Sequence, residues 1–283
     1  MMRHSPWRNT FGRLAAVIML PLLGTPAIAQ TSLLKNIELC EGGSGGVSLD
    51  GQMEACTALI QTPAVKPRGL SVAHNNRGTG YVKKGEYNSA IEDFDQSIKI
   101  NPNYVKALNN RGVAYQKKGE IDRSIQDFNA AVKLDAKYAS AFANRAESYL
   151  QKGEYRLAAR DYDQVFQLQP KWAVARNGRC WAHAIVGNLR LALAECNESL
   201  RMEPNIAATF DSRGLVYLKM GQWDSAIADY NAALRLNPKQ AGSLYGRGVA
   251  KLKKSDPTGS ADTTAAIALK ADISSDFERY GVR

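Results

Sequence analysis

Residues 71–104, SVAHNNRGTGYVKKGEYNSAIEDFDQSIKINPNY, and residues 105–138, VKALNNRGVAYQKKGEIDRSIQDFNAAVKLDAKY, align without a gap over 34 positions. The same interval links Arg77, Arg111, Arg145, Arg179, Arg213 and Arg247, and it links Gly85, Gly119, Gly153, Gly187 and Gly221. Proline keeps the register at Pro102, Pro170, Pro204 and Pro238, with Ala136 in the remaining slot. A fixed period of this size marks a chain built from stacked supersecondary units. Five full units run 71–104, 105–138, 139–172, 173–206 and 207–240.

Numbering each unit from 1 to 34 exposes its packing rules. Position 8 (Gly78, Gly112, Ala146, Cys180, Gly214) and position 20 (Ala90, Ser124, Ala158, Ala192, Ala226) are small. Position 11 (Tyr81, Tyr115, Tyr149, His183, Tyr217) and position 24 (Phe94, Phe128, Tyr162, Cys196, Tyr230) are mostly large. Small residues let two antiparallel helices approach, and aromatic side chains fill the space between neighbouring hairpins. Glycine at position 15 supplies the left-handed residue that ends a first helix A. Proline at position 32 is expected to stop helix B.

These residues resemble the tetratricopeptide repeat family: Gly or Ala at 8, Tyr at 11, Ala at 20, an aromatic at 24, Ala at 27 and Pro at 32. The resemblance covers residues 71–240 directly. It implies an all-α, right-handed superhelical solenoid of helix-turn-helix repeats, with helix A of each unit lining a concave groove. The family's usual work is to hold a peptide, tail or helix of a partner protein.

Both ends of the array depart from the pattern. Cys56 and Leu59 fit positions 24 and 27 of a degenerate first unit, which places Cys40 at its position 8. Residues 30–70 are therefore expected to form a half-repeat with a shortened helix A, followed by a Pro63/Pro67 spacer. A sixth unit starts at 241, but Lys251 replaces the tyrosine and Ser255 the turn glycine, so Ala261–Lys270 is expected to be an irregular helix B. Asp272–Tyr280, with Ile273, Phe277 and Tyr280 on one face, is expected to cap the stack, because a terminal repeat otherwise exposes a core face.

In a hairpin that turns near position 15, residues facing each other have positions summing to about 31. Each position 7 arginine then faces position 23, which is acidic in every full unit: Arg77 with Asp93, Arg111 with Asp127, Arg145 with Asp161, Arg179 with Glu195, and Arg213 with Asp229. Such pairs suit bidentate ion pairing, within a hairpin or across to its neighbour. The matched acids argue against an arginine ladder reserved for acidic ligands.

Cys40 and Cys56 are 16 residues apart, as are Cys180 and Cys196, and both pairs occupy positions 8 and 24. An even count, equal spacing and an oxidising destination argue for two disulfides, each stapling one hairpin. The chain-entropy model gives each about 3 kcal/mol. Zinc is the rival, with His183 three residues from Cys180, but no further ligand set accompanies it and no cofactor is implied.

In the resembled family, positions 2, 5, 6, 9, 12 and 13 of helix A face the groove. Toward the N-terminus these slots hold Asn75, Asn76, Asn109, Asn110 and Asn144 with Lys83, Lys106 and Lys117, a surface able to serve donors and acceptors of an extended backbone. Toward the C-terminus they hold Trp181, Ile185, Leu215, Leu218, Tyr245, Val249 and Leu252. That apolar stretch would take a partner's side chains or be filled by the chain's own capping helix.

Residues 1–29 read as a secretory signal peptide: Arg3, Arg8 and Arg13 without an acid, an apolar run Leu14–Leu23, then Ala27-Ile28-Ala29 before Gln30. The apolar run is about half of what a spanning helix needs. Export would place the protein in the periplasm or outside the cell, with no stable membrane insertion after cleavage between Ala29 and Gln30. Cleavage would lower the formal charge from +10 to +7.

No nucleophile-elbow, metalloprotease, phosphate-loop or dinucleotide motif stands in the strand-to-helix or helical context its chemistry needs, and each Arg-Gly pair sits inside a helical pattern. The expectation is a non-catalytic scaffold with a protein or peptide partner and no nucleic-acid role. The alternative is a binder of envelope glycans or polyanions through basic surface residues, whose affinity would fall steeply with salt.

Overall fold

The computed structural model describes residues 27–42 and 46–282. Of the expected signal peptide, residues 1–26 lie outside this range, and Ala27–Ala29 are helical. The described residues contain fifteen helices and no strand. They divide into two compact units, one up to Ala136 and one from Lys137 onward.

The first unit holds three hairpins: α1 (Ala27–Cys40) with α2 (Leu49–Ile60), α3 (Pro67–Lys84) with α4 (Tyr87–Ile100), and α5 (Val105–Lys117) with α6 (Ile121–Leu134). Each hairpin packs on the next through its neighbouring helices. The degenerate N-terminal segment is thus a complete hairpin. Its helix α1 stops at Cys40, ahead of Gly42 in the left-handed region (φ 80°). The anticipated spacer is shorter than expected, because Pro67 is the first residue of α3, where its missing N–H costs nothing.

The second unit holds α7 (Ala139–Lys152) with α8 (Tyr155–Leu168), α9 (Ala173–Ile185) with α10 (Leu189–Met202), α11 (Ala207–Lys219) with α12 (Trp223–Leu236), α13 (Ala241–Lys253) with α14 (Gly259–Leu269), and the short α15 (Ile273–Arg279). The helix expected to be irregular, α14, is regular.

The turn residues behave as the sequence requires. Gly85 and its four equivalents have φ between 73° and 93°. Ser255 stands in the same slot of the last hairpin at φ 62°, the one non-glycine residue there among those described. Helix B ends for a different reason than proline alone. α6 stops at Leu134 in register with the others although Ala136 replaces the proline, and its C-cap Asp135 (φ −139°) matches Asn101 (φ −135°) and Asn237 (φ −140°). The extended residue at position 31 is common to all; proline reinforces it.

Position 8 is small because position 24 leaves no room. A Cβ on Gly78 would lie 2.8 Å from the Phe94 ring, one on Gly112 2.6 Å from Phe128, and one on Gly214 2.8 Å from Tyr230. Phe94, Phe128 and Tyr230 are fully buried, each aromatic contributing roughly 2–3 kcal/mol. In α9/α10 a covalent bond replaces this contact: Cys180 and Cys196, both fully buried, are joined with a Cα–Cα distance of 5.4 Å. Cys40 and Cys56 are joined likewise at 4.8 Å. Both disulfides therefore staple one hairpin each.

Candidate functional site

Within each unit the position 7 arginines form a rail of ion pairs. Arg77 Nε and Nη2 donate to Asp93 at 2.8 Å, Arg111 to Asp127 at 2.8 and 2.7 Å, Arg145 to Asp161 at 2.7 Å, and Arg213 to Asp229 at 2.7 and 2.8 Å. Arg179 meets Glu195 through one nitrogen at 2.8 Å, and Arg176 from position 4 supplies the second contact. These pairs lie within hairpins, but the same guanidinium also reaches position 25 of the preceding hairpin. Arg77 donates to Thr57, Arg111 to Asp95, Arg179 to Asp163 and Arg213 to Asn197. One side chain thus ties two hairpins, which settles the open choice as both. Arg247 repeats the pattern with Asp262 and Asn231; Asp262 escaped the register because it stands one residue early.

The electrostatics follow from burial. Burial pushes the Asp127 and Asp161 carboxyls above the usual carboxylate range, against the pull of Arg111 and Arg145. Burial also acts to raise Asp93, but Arg77 and the His74 ring, 2.8 Å away, together bring it below that range. His183 likewise serves the framework, its ring nitrogens meeting Asp163 and Asn188. Position 11 tyrosines lie beside the rail: the Arg213 guanidinium is 5.8 Å from the Tyr217 ring and 5.7 Å from Phe210.

On the concave side of the first unit, the asparagines form a chain. Asn75 Nδ2 donates to Asn76 Oδ1 at 3.0 Å, Asn76 Nδ2 to the Cys40 carbonyl at 3.2 Å, Asn110 Nδ2 to Asn75 Oδ1 at 3.0 Å, and Asn109 Nδ2 to Asn110 Oδ1 at 3.3 Å. Asn75 and Asn109 are buried, so these two are interhelical ties more than open ligand groups, a correction to their assignment as groove contacts. Asn76 and Asn110 are half-buried at the edge of the chain. Lys83, Lys106 and Lys117 are exposed. Asn144 belongs to the second unit and is half-buried there.

The concave side of the second unit is occupied. Phe277 of α15 packs on Tyr245 with ring centroids 4.8 Å apart, and Tyr280 stands edge-on to Trp181 at 5.2 Å and to Tyr155 at 6.0 Å. Ile273 and Phe277 are buried in one cluster with Leu215 and Leu218. Trp181 and Tyr245, expected to receive a ligand, are thus covered by the chain itself. Lys219 Nζ donates to the carbonyls of Ala184 (2.8 Å), Ile185 (3.0 Å) and Tyr280 (2.6 Å), joining the C-terminal ends of α9 and α15 on one ammonium. Burial lowers the Lys219 pKa from its usual value.

Two tyrosines reach the floor that asparagine occupies in the first unit. Tyr162 Oη donates to Glu147 at 3.1 Å, and a Cβ on Gly178 would fall 2.3 Å from that ring. Tyr230 Oη is buried without a partner, and a Cβ on Gly246 would fall 2.4 Å from it. Tyrosine at position 24 is therefore paired with glycine at position 6 of the next hairpin, whereas Phe94 and Phe128 precede Asn110 and Asn144. This covariation was the available signal for the change of floor. Asp211, beside Tyr230, accepts from Ser243 at 2.5 Å, and burial pushes its carboxyl up to about 6.

Among the described residues no group of three or more His, Cys, Asp or Glu is placed to hold a metal, and no helix is long and apolar enough to cross a membrane. Sequence comparison agrees with the geometry: families described as TPR repeat match residues 78–119 and 214–255, and tetratricopeptide repeat families match 105–138 and 139–171. The chain is a tetratricopeptide repeat protein. No curated protein matches it.

Solved tetratricopeptide structures share its fold at low identity. A tetratricopeptide repeat protein from Parabacteroides merdae is 20% identical with a TM-score of 0.62, covering 89% of this chain and 98% of its own. A chain of the APC/C hetero-tetramer Cut9–Hcn1 is 16% identical with a TM-score of 0.66, covering 88% of this chain and 52% of its own. YrrB, whose structure is described as having an unusual peptide-binding site, is 18% identical with a TM-score of 0.50, covering 64% of this chain and 94% of its own. The two units of this tetratricopeptide protein thus differ: an asparagine chain runs between helices of the first, and α15 covers the aromatic face of the second.

Proposed function

We propose that the protein is a non-catalytic interaction scaffold working outside the cytoplasm, and that the concave face of its first unit binds an extended, acidic segment of a partner protein. The observation that carries this reading is the asparagine chain, whose two helices also bear three exposed lysines. Each asparagine amide is oriented by its neighbour, so the ordering cost falls before a ligand arrives. Asn76 keeps one N–H and one lone pair beyond these bonds, and Asn110 keeps a lone pair, matching the alternating donors and acceptors of a peptide backbone. Lys83, Lys106 and Lys117 make no ion pair with a described residue and add positive charge to the same two helices. Similarity to YrrB, a tetratricopeptide protein with a peptide-binding site, supports a peptide ligand. The two disulfides and the signal-like leader support export.

Charge reversal is the clean test, because the asparagines are also structural. Lys83→Glu/Lys106→Glu/Lys117→Glu should reduce partner capture at least tenfold while leaving the thermal midpoint within a few degrees of wild type. Undiminished capture by the variant contradicts the proposal.

A further inference from the structure

α15 does not sit where an end cap belongs. A cap covers the outward face of the last helix. Here that face, on α14, leaves Ile267 and Leu269 45% and 49% exposed, while α15 lies in the concave side against Trp181, Tyr245, Leu215 and Leu218. Its anchors Ile273, Phe277 and Tyr280 recur at i, i+4 and i+7, the spacing by which an amphipathic helix fills an apolar groove.

The fit is incomplete. Asn177 Oδ1, one turn before Trp181 on α9, is buried without a hydrogen-bond partner, as is Tyr230 Oη. A cleft of about 590 Å³ bounded by Tyr155, Arg156, Ile185 and Arg279 adjoins the last turn of α15. The helix itself is seven residues long, spans about 10 Å, and is too short to persist alone. Three residues, Lys270–Asp272, join it to α14, so it can leave by a local opening with α13 and α14 intact.

We infer that the concave face of the second unit is a receptor for an amphipathic helix of a partner protein, and that α15 is a plug resting in it. The partner helix carries large apolar side chains at i, i+4 and i+7 and places the carbonyls of its last turn on Lys219. It is longer than α15 and brings a hydrogen-bond donor to Asn177. Because the plug is tethered, a competitor must outbid an effective concentration on the order of millimolar. The plug thereby sets a threshold that excludes weak helices. This face is separate from the one proposed for the extended segment, so either reading can fail alone.

The test uses the full chain and a fluorescein-labelled peptide of its own residues 270–282 as probe. Phe277→Ala/Tyr280→Ala should empty the groove and bind the probe at least tenfold more tightly than wild type, and Lys219→Met added to that variant should weaken binding at least tenfold. In the wild type, native-state hydrogen exchange at the Asp276 and Tyr280 amides, which bond to Asp272 and Asp276 carbonyls, should proceed by local opening. Equal probe affinity in wild type and variant overturns the inference. So does loss of the fold in the double variant, or exchange of those amides only through global unfolding, since either makes α15 a structural element.

Discussion

Two phenols in equivalent positions should respond in opposite directions to loss of their hydroxyl. Tyr162 and Tyr230 both occupy position 24, both are at most 5% exposed, and both abut a glycine of the next hairpin. Tyr162 donates to Glu147 at 3.1 Å; Tyr230 has no partner among the described residues. Tyr162→Phe removes a hydrogen bond to a carboxylate and should cost roughly 1–2 kcal/mol. Tyr230→Phe removes a desolvated group that gains nothing in return and should stabilise the fold by about 1 kcal/mol, the relief being offset in part by a small void. The two variants should therefore differ by about 2–3 kcal/mol, or by roughly 4–10 °C in midpoint for a chain of this size. Urea denaturation of the oxidised protein, followed by circular dichroism, measures the sign directly. Hydrogen exchange in α11–α13 localises the effect if the array unfolds in steps. Equal destabilisation by both substitutions would refute the reasoning, because it would mean that Tyr230 has a partner in solution.

Three further outcomes are expected. Arg111→Ala should cost about 3–5 kcal/mol by stranding the buried Asp127 carboxylate, and Arg111→Met/Asp127→Leu should recover much of that loss; denaturant midpoints check both. Asp211 has a folded-state pKa near 6, above its unfolded value, so its contribution is full below pH 4 and is lost as pH rises to about 6; Asp211→Asn should flatten wild-type stability across that window by up to about 3 kcal/mol, read from pH-dependent melting. Export predicts a protein that starts at Gln30 in the envelope or culture fluid, which intact-mass measurement verifies.

Much of the architecture was legible because a repeat states its packing rules several times over. The glycine at 78 is explained by the phenylalanine at 94, and the same sentence holds at 112/128 and 214/230. Arginine and acid at positions 7 and 23, and cysteines at 8 and 24, were readable for the same reason. The site was less legible. The repeat register puts Asn75, Asn76, Asn109 and Asn110 on neighbouring helices, but hydrogen-bond direction depends on which amide of one hairpin meets which amide of the next. Burial turned two of them into ties.

The destination of α15 was hidden too. Its apolar face announces that it docks, while the groove it docks in is assembled from Trp181, Leu215, Leu218 and Tyr245 on three helices far apart in sequence. Lys219 stands at the end of its own helix, yet it serves the ends of α9 and α15. Arg247's partner was overlooked because Asp262 falls one residue short of the repeat period.

The central claim is that the first unit's concave face is the open receptor, and site-specific photocrosslinking tests it most directly. A photoreactive residue in place of Val113, on the groove side of α5, should crosslink an extended acidic segment of a partner, and Lys83→Glu/Lys106→Glu/Lys117→Glu should abolish that product. The same residue in place of exposed Lys99 on α4 should give none. Crosslinking from position 99 and not from position 113, or a product at 113 that survives charge reversal, would contradict the account.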